Sequence, residues 1–270
     1  KKNQFINSLS SFDVNGKNNL AFIDKNKLST ININKIKASC VIVPKRLNIK
    51  KNLIICKNPR KLFDSICKKF VKNYNEDNLI EGNKFKNISC GRNVFISKYA
   101  KVYPGVRIGN NVSIFKNSTI KKNVIISSGV IIGNEGLGPY LQGKKLVNCT
   151  HLGGVTIGEN SFIGSNSVIT RGTLSNTSIG KNCFISNLVN IGHNVKIGSK
   201  TLISSSVSIG GSTIIGKNVK ISIGATLNKN IQIGDNCKIG INSNVIKNLK
   251  KNQDVFGNPA KRFHFIKKLF

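Results

Sequence analysis

Aliphatic residues recur at every sixth position along most of this chain. From Cys90 the row runs Ile96, Val102, Ile108, Ile114, Ile120, Ile126 and Ile132. Two residues earlier a row of smaller side chains keeps step: Ile88, Val94, Ala100, Val106, Val112, Ser118, Val124 and Val130. The rhythm returns at Ile157, Ile163 and Ile169. It then runs unbroken from Ile179 through Ile191, Ile197, Ile209 and Ile215 to Val245. An α-helix repeats near 3.6 residues and a plain strand every two, so neither accounts for a period of six. A hexapeptide rhythm is the mark of a parallel β-helix. Each hexad supplies one short strand and a corner, and three hexads close a triangular coil of about 18 residues, giving roughly seven to eight coils here. Glycine often follows the aliphatic, as in Ile108-Gly109 and Ile191-Gly192, and the expectation is that it relieves corners with positive φ. The predicted architecture is mainly β: a left-handed parallel β-helix over 88–258.

Residues 1–80 do not follow the hexad. Leu20–Ile23, Ala38–Val43 and Leu53–Cys56 read as short strands. After Asn58-Pro59-Arg60, the spacing of Leu62, Phe63, Ile66, Cys67 and Phe70 predicts an amphipathic helix over 60–73. These elements form a small α/β domain, with residues 74–87 as linker. Two interruptions break the prism. One is the glycine-rich excursion from Gly133 to Leu152, of a length that is usually functional. The other is the four-residue insertion Arg171-Gly172-Thr173-Leu174. Past Val255–Ala260, Pro259 is placed to open a basic C-terminal α-helix over 259–270.

The net charge is +33, from 43 Lys and Arg against 10 Asp and Glu. That invites acidic partners. Yet the lysines are spread evenly and lack the interleaved aromatics that stack bases, so no specific nucleic-acid site is expected. The seven cysteines include no C-x-x-C pair and only three histidines accompany them, so reduced thiols in a cytoplasmic protein and no metal site are expected. No stretch reaches the roughly 20 apolar residues of a transmembrane helix, and the N-terminus reads as no signal peptide.

Several motifs together resemble one family. They are Leu20–Ile23, Ala38–Pro44 and Asn58–Phe63 in the first domain, then Ile132–Gly138, Arg171–Leu174, Asn187–Val195 and Gly210–Gly216, with Gly257-Asn258-Pro259-Ala260 near the end. In type and order they resemble the UDP-3-O-acylglucosamine N-acyltransferases of lipid A synthesis, within the hexapeptide acyltransferases. The resemblance implies a homotrimer that takes a 3-hydroxyacyl chain from acyl carrier protein to the amine of a UDP-sugar. It makes His193 the catalytic base and Gly211, one coil on, the oxyanion donor. Phe22 corresponds to the uracil-packing aromatic. Asn187, Asn194 and Asn230 fall at substrate-binding positions, and Lys261, Arg262, Lys267 and Lys268 at the carrier-docking surface.

The chemistry separately favours a histidine. An amine attacking a thioester must lose a proton, and imidazole titrates near neutrality. Several positions depart from the family. Thr170, Ser175 and Ser186 stand where it usually has Asp, Asn230 replaces a second histidine, and Lys25 and Leu28 replace uracil-site residues. Between 160 and 253 the single acid is Asp235, so no carboxylate neighbours His193 in sequence. Two further readings stay open: a coenzyme A-dependent acetyltransferase acting on a sugar of surface polysaccharide, and a non-enzymatic β-helix assembly module.

Overall fold

The computed structural model describes residues 5–12, 14–25, 28, 31–71, 79–81, 87–259 and 261–262. The chain divides into two compact units. One comprises Lys1–Asn75 with Leu137–Leu152, and the other Glu76–Gly136 with Gly153–Phe270.

The second unit is a prism of parallel strands, most of them two residues long, gathered into three sheets. Ile191 pairs with Ile209, and Ile209 with Leu227, so each strand lies on the one a coil earlier. The aliphatic rows point inward. Ile120, Ile163, Ile191 and Ile221 have no exposed surface, and the companion row of Val106, Val195 and Val219 is equally buried. Burying each such side chain is worth about 1.5–3 kcal/mol, which is how so narrow a prism holds together without long strands. Cys183 and Cys237 occupy this interior as small apolar residues, as their row positions predict.

Glycine and asparagine divide the corner work differently from the expectation. Positive φ is carried mainly by asparagine, at Asn111, Asn182, Asn194, Asn218 and others, and by Leu188, Lys200, Ser206 and Ser212. Most glycines that follow the row aliphatics, Gly133 at φ 86° excepted, have no such requirement. At Gly198 a Cβ would lie 2.5 Å from the Gly216 carbonyl carbon of the next coil. The close approach of stacked backbones, not a left-handed conformation, demands glycine there.

Short antiparallel strands pair at both ends of the stack. Leu79–Glu81, expected as linker, pairs with Phe95–Ser97. Lys261–Arg262 pairs with Asp254–Phe256. The second pairing corrects the expected C-terminal helix at its start. After Gly257, at φ 99°, the chain turns back, and the open edge of Asp254–Phe256 offers hydrogen-bond partners that a helix starting at Pro259 would leave unused. The remainder of that predicted helix, residues 263–270, lies outside the described residues.

The first unit holds a four-stranded parallel sheet of Ser8–Leu9, Asn19–Phe22, Cys40–Val43 and Asn52–Ile55, in that order, and the helix Pro59–Val71. The predicted strands and helix are present within a residue or two at most boundaries. The excursion belongs to this unit as the hairpin Pro139–Gln142/Lys145–Asn148. It is tied to the helix through Asp64. Tyr140 Oη donates to Asp64 Oδ2 at 2.9 Å, the Thr150 N–H donates to Oδ1 at 2.8 Å, and Lys68 Nζ stands 3.0 Å away. Burial opposes ionisation of Asp64, but these donors outweigh it and hold the carboxyl below its usual value. Burial and the Asp64 charge together push the Tyr140 hydroxyl up to about 12.

Candidate functional site

One edge of the prism collects nearly everything unusual in the hexad run. Strands Ile131–Ile132, Val168–Ile169, Asn190–Ile191, Ser208–Ile209 and Thr226–Leu227 follow one another in a single sheet. The residues just after each strand therefore form one corner. Down that corner run Gly133, where the excursion departs, then Arg171 and its insertion, then His193, Gly211 and Asn230. Both interruptions and the sole histidine of the described corner residues leave the prism at the same edge.

Backbone hydrogen bonds hold the catalytic candidates in a ladder. The Ser212 N–H donates to the His193 carbonyl at 2.8 Å, and the Asn230 N–H donates to the Gly211 carbonyl at 3.0 Å. His193 is half-buried. Its ring edge faces Gly211, where a Cβ would lie 2.6 Å from Nε2. Among the described residues, no protein group accepts the Gly211 N–H.

Asn194, at φ 61°, is the centre of a small network. Its Oδ1 lies 3.0 Å from the Thr173 N–H nitrogen, from Thr173 Oγ1 and from His193 Nδ1. Its Nδ2 donates to the Ser175 carbonyl at 3.0 Å and lies 3.1 Å from Ser175 Oγ. Its own N–H donates to Thr177 Oγ1 at 2.9 Å. The four-residue insertion is thus folded onto Asn194.

The insertion is itself anchored by Arg171, the largest fully buried side chain among the described residues, which is 1% exposed. Arg171 Nε donates to the Gly133 carbonyl at 2.8 Å and an Nη donates to the Lys116 carbonyl at 2.7 Å. Carbonyl dipoles compensate the buried guanidinium. Gly172 follows because a Cβ there would run into the Ser175 carbonyl.

Asn187 sits elsewhere, on the adjacent corner, where its Oδ1 accepts the Ser165 N–H at 2.8 Å. Asn230 is exposed. Phe22 belongs to the first unit and packs against Phe63 with its ring tilted 34°, ring centroids 4.8 Å apart. Lys261 and Arg262 lie in the terminal strand, and Lys267 and Lys268 lie outside the described residues. Thr173 and Ser175 were not among the site residues read from the sequence. The signal that pointed to them was the break in the hexad phase at Arg171.

Comparison with known proteins bears on the repeat and the fold. A family model for the hexapeptide repeat of succinyl-transferase matches residues 154–187. A UDP-3-O-acylglucosamine N-acyltransferase of Dechloromonas aromatica is 42% identical over 64 residues, covering 24% of this chain and 18% of the relative. UDP-3-O-acylglucosamine N-acyltransferase 2 of Legionella pneumophila (strain Lens) is 35% identical over 104 residues, covering 38% of this chain and 23% of the relative. The matched parts span less than a quarter of either relative. Among solved structures, LpxA from Acinetobacter baumannii superposes with a TM-score of 0.60 at 20% identity, covering 66% of this chain and 68% of that one. The fold is a left-handed parallel β-helix, shared with that structure.

Proposed function

We propose that this chain is a lipid A N-acyltransferase, moving a 3-hydroxyacyl chain from acyl carrier protein to the amine of a UDP-3-O-acylglucosamine. The names of its curated relatives support the reaction class. The observation that carries the reading is the His193 imidazole, poised at the corner with its Nε2 edge over Gly211. The acceptor amine attacks the thioester carbonyl, forming the C–N bond, while His193 Nε2 takes the proton the nitrogen must lose. Negative charge gathers on the carbonyl oxygen, and the Gly211 N–H is the donor for it. Collapse breaks the C–S bond, and the imidazolium returns its proton to the departing thiolate. The carrier is read as the donor because it is acidic and the chain's C-terminal segment is basic.

We assign the working unit as a homotrimer with its sites in the clefts between prisms, as the resemblance to the N-acyltransferases implies. Among the described residues no helix is long and apolar enough to cross a membrane. We assign the reaction to the cytoplasm, where nucleotide sugars are made.

Mass-spectrometric assay of UDP-3-O-acylglucosamine with 3-hydroxyacyl carrier protein, and separately with the coenzyme A thioester, tests the reading. N-acylated product is expected with the carrier. Turnover only with coenzyme A thioesters overturns the donor, and no product with either overturns the reaction.

A further inference from the structure

The amide of Asn194 lies between two backbone groups whose hydrogen-bonding roles are fixed. The Thr173 N–H can only donate, so the atom 3.0 Å from it must be the amide oxygen. The Ser175 carbonyl can only accept, so the atom 3.0 Å from it must be the amide nitrogen. The insertion therefore determines which way the Asn194 amide points. That orientation has a chemical consequence for its neighbour. His193 Nδ1 stands 3.0 Å from the same oxygen. An amide oxygen accepts and never donates, so Nδ1 must carry the proton.

We propose that Asn194 is a positioning residue that holds His193 in the Nδ1–H tautomer and leaves the lone pair on Nε2. The inference rests on His193 being the base, and it supplies what the sequence lacks: a partner to orient the ring. Asp235, the single acid between 160 and 253, is occupied elsewhere, its Oδ1 accepting the Lys217 N–H at 2.7 Å. The choice of tautomer matters because neutral histidine in water favours the opposite one, with the proton on Nε2. In that form the nitrogen facing Gly211 would have no lone pair with which to take the amine's proton. A neutral acceptor also differs from a carboxylate. It selects the tautomer without adding a charge that would favour the imidazolium. The insertion Arg171–Leu174, with Ser175 just after it, then acts at one remove, fixing Asn194 so that Asn194 can fix His193.

Two-bond 1H–15N correlation of the imidazole nitrogens reads the tautomer directly, apart from any activity. The protein has three histidines, and the His193 signals are those lost in His193→Gln. The parent should show protonated Nδ1 and unprotonated Nε2 at a pH above the ring's titration. Asn194→Ala should shift His193 toward the Nε2–H form and lower kcat roughly tenfold or more, part of the 10²–10⁴ that a general base supplies. Asn194→Asp retains an acceptor for Nδ1 and adds a charge, so the acid limb of its kcat/KM profile should move up by about one pH unit. A purely structural role for Asn194 would leave the tautomer of His193 unchanged in Asn194→Ala. A parent ring protonated on Nε2, or a tautomer unchanged in Asn194→Ala, overturns the proposal. Full activity in His193→Gln would instead sink the acyl-transfer reading and leave the tautomer assignment standing.

Discussion

The imidazole of His193 lies against the α-carbon of Gly211, one coil away. A Cβ on that carbon would come within 2.6 Å of Nε2, 2.8 Å of Cε1 and 2.9 Å of Cδ2. Gly211 therefore has a steric role separable from its N–H. Gly211→Ala keeps the N–H donor and its φ requires no glycine, yet the ring must move. Its kcat should fall about 10²-fold, comparable to removal of an oxyanion donor, while the thermal midpoint changes little. Activity close to the parent would leave the N–H as the sole role for this residue.

His193→Ala should lower kcat by roughly 10²–10⁴. The ring is half-buried at a corner and outside the apolar interior, so the stability change should stay within about 0.5–1 kcal/mol. Steady-state assay and urea unfolding on the same preparation separate the two effects.

Arg171→Ala should be costly to the fold. It strips the Gly133 and Lys116 carbonyls of their buried donors and opens a cavity. An unsatisfied buried group costs about 1–3 kcal/mol, so a loss of at least about 3 kcal/mol in urea unfolding is expected for the prism. Activity should fall with it, because the insertion that grips Asn194 loses its anchor.

Acid should loosen the hairpin from its helix. The Asp64 carboxyl is held below its usual value, so its contribution is fully present above the unfolded-state pKa near 3.9. That contribution disappears as pH falls through the lower native value. Asp64→Asn should remove it at neutral pH and flatten the acid dependence. Hydrogen exchange of the Thr150 amide, which donates to Asp64, measures both. Unchanged protection in Asp64→Asn would show the hairpin to be held by other contacts.

Reversing Lys261, Arg262, Lys267 and Lys268 to Glu should raise KM for acyl carrier protein at low salt and weaken its salt dependence, with kcat nearly unchanged. The attraction is screened over about 8 Å at physiological ionic strength, so the difference should shrink as salt is added. Equal use of the carrier by parent and variant would return coenzyme A to consideration as donor.

The prism was readable because its period is covalent: every sixth side chain must point inward, so Ile191 and Ile209 announce their pairing from sequence alone. The position of His193 was readable for a related reason, since coil length places it beside Gly211. What was not readable depends on where breaks in the period fold. Nothing in the string Arg171-Gly172-Thr173-Leu174 says that its arginine turns inward and its threonine bonds an asparagine 21 residues later. The excursion's membership of the first unit is equally non-local, resting on Asp64, Tyr140 and Thr150. The C-terminus misled because Pro259 favours a helix start locally, while the unpaired edge of Asp254–Phe256 is a feature only of the assembled prism.

The antiparallel strands Leu79–Glu81 and Lys261–Arg262 bear on how far the stack can grow. Every coil of such a prism presents the next with the same backbone template, and a bare terminal coil would offer that template to another molecule. A strand running the wrong way occupies the ladder without extending it, because no parallel coil can continue from its register. Chains cut back to Phe95–Phe256 should therefore associate more readily through the two sheet edges that these strands cover, the edge at Phe95–Ser97 and the edge at Asp254–Phe256.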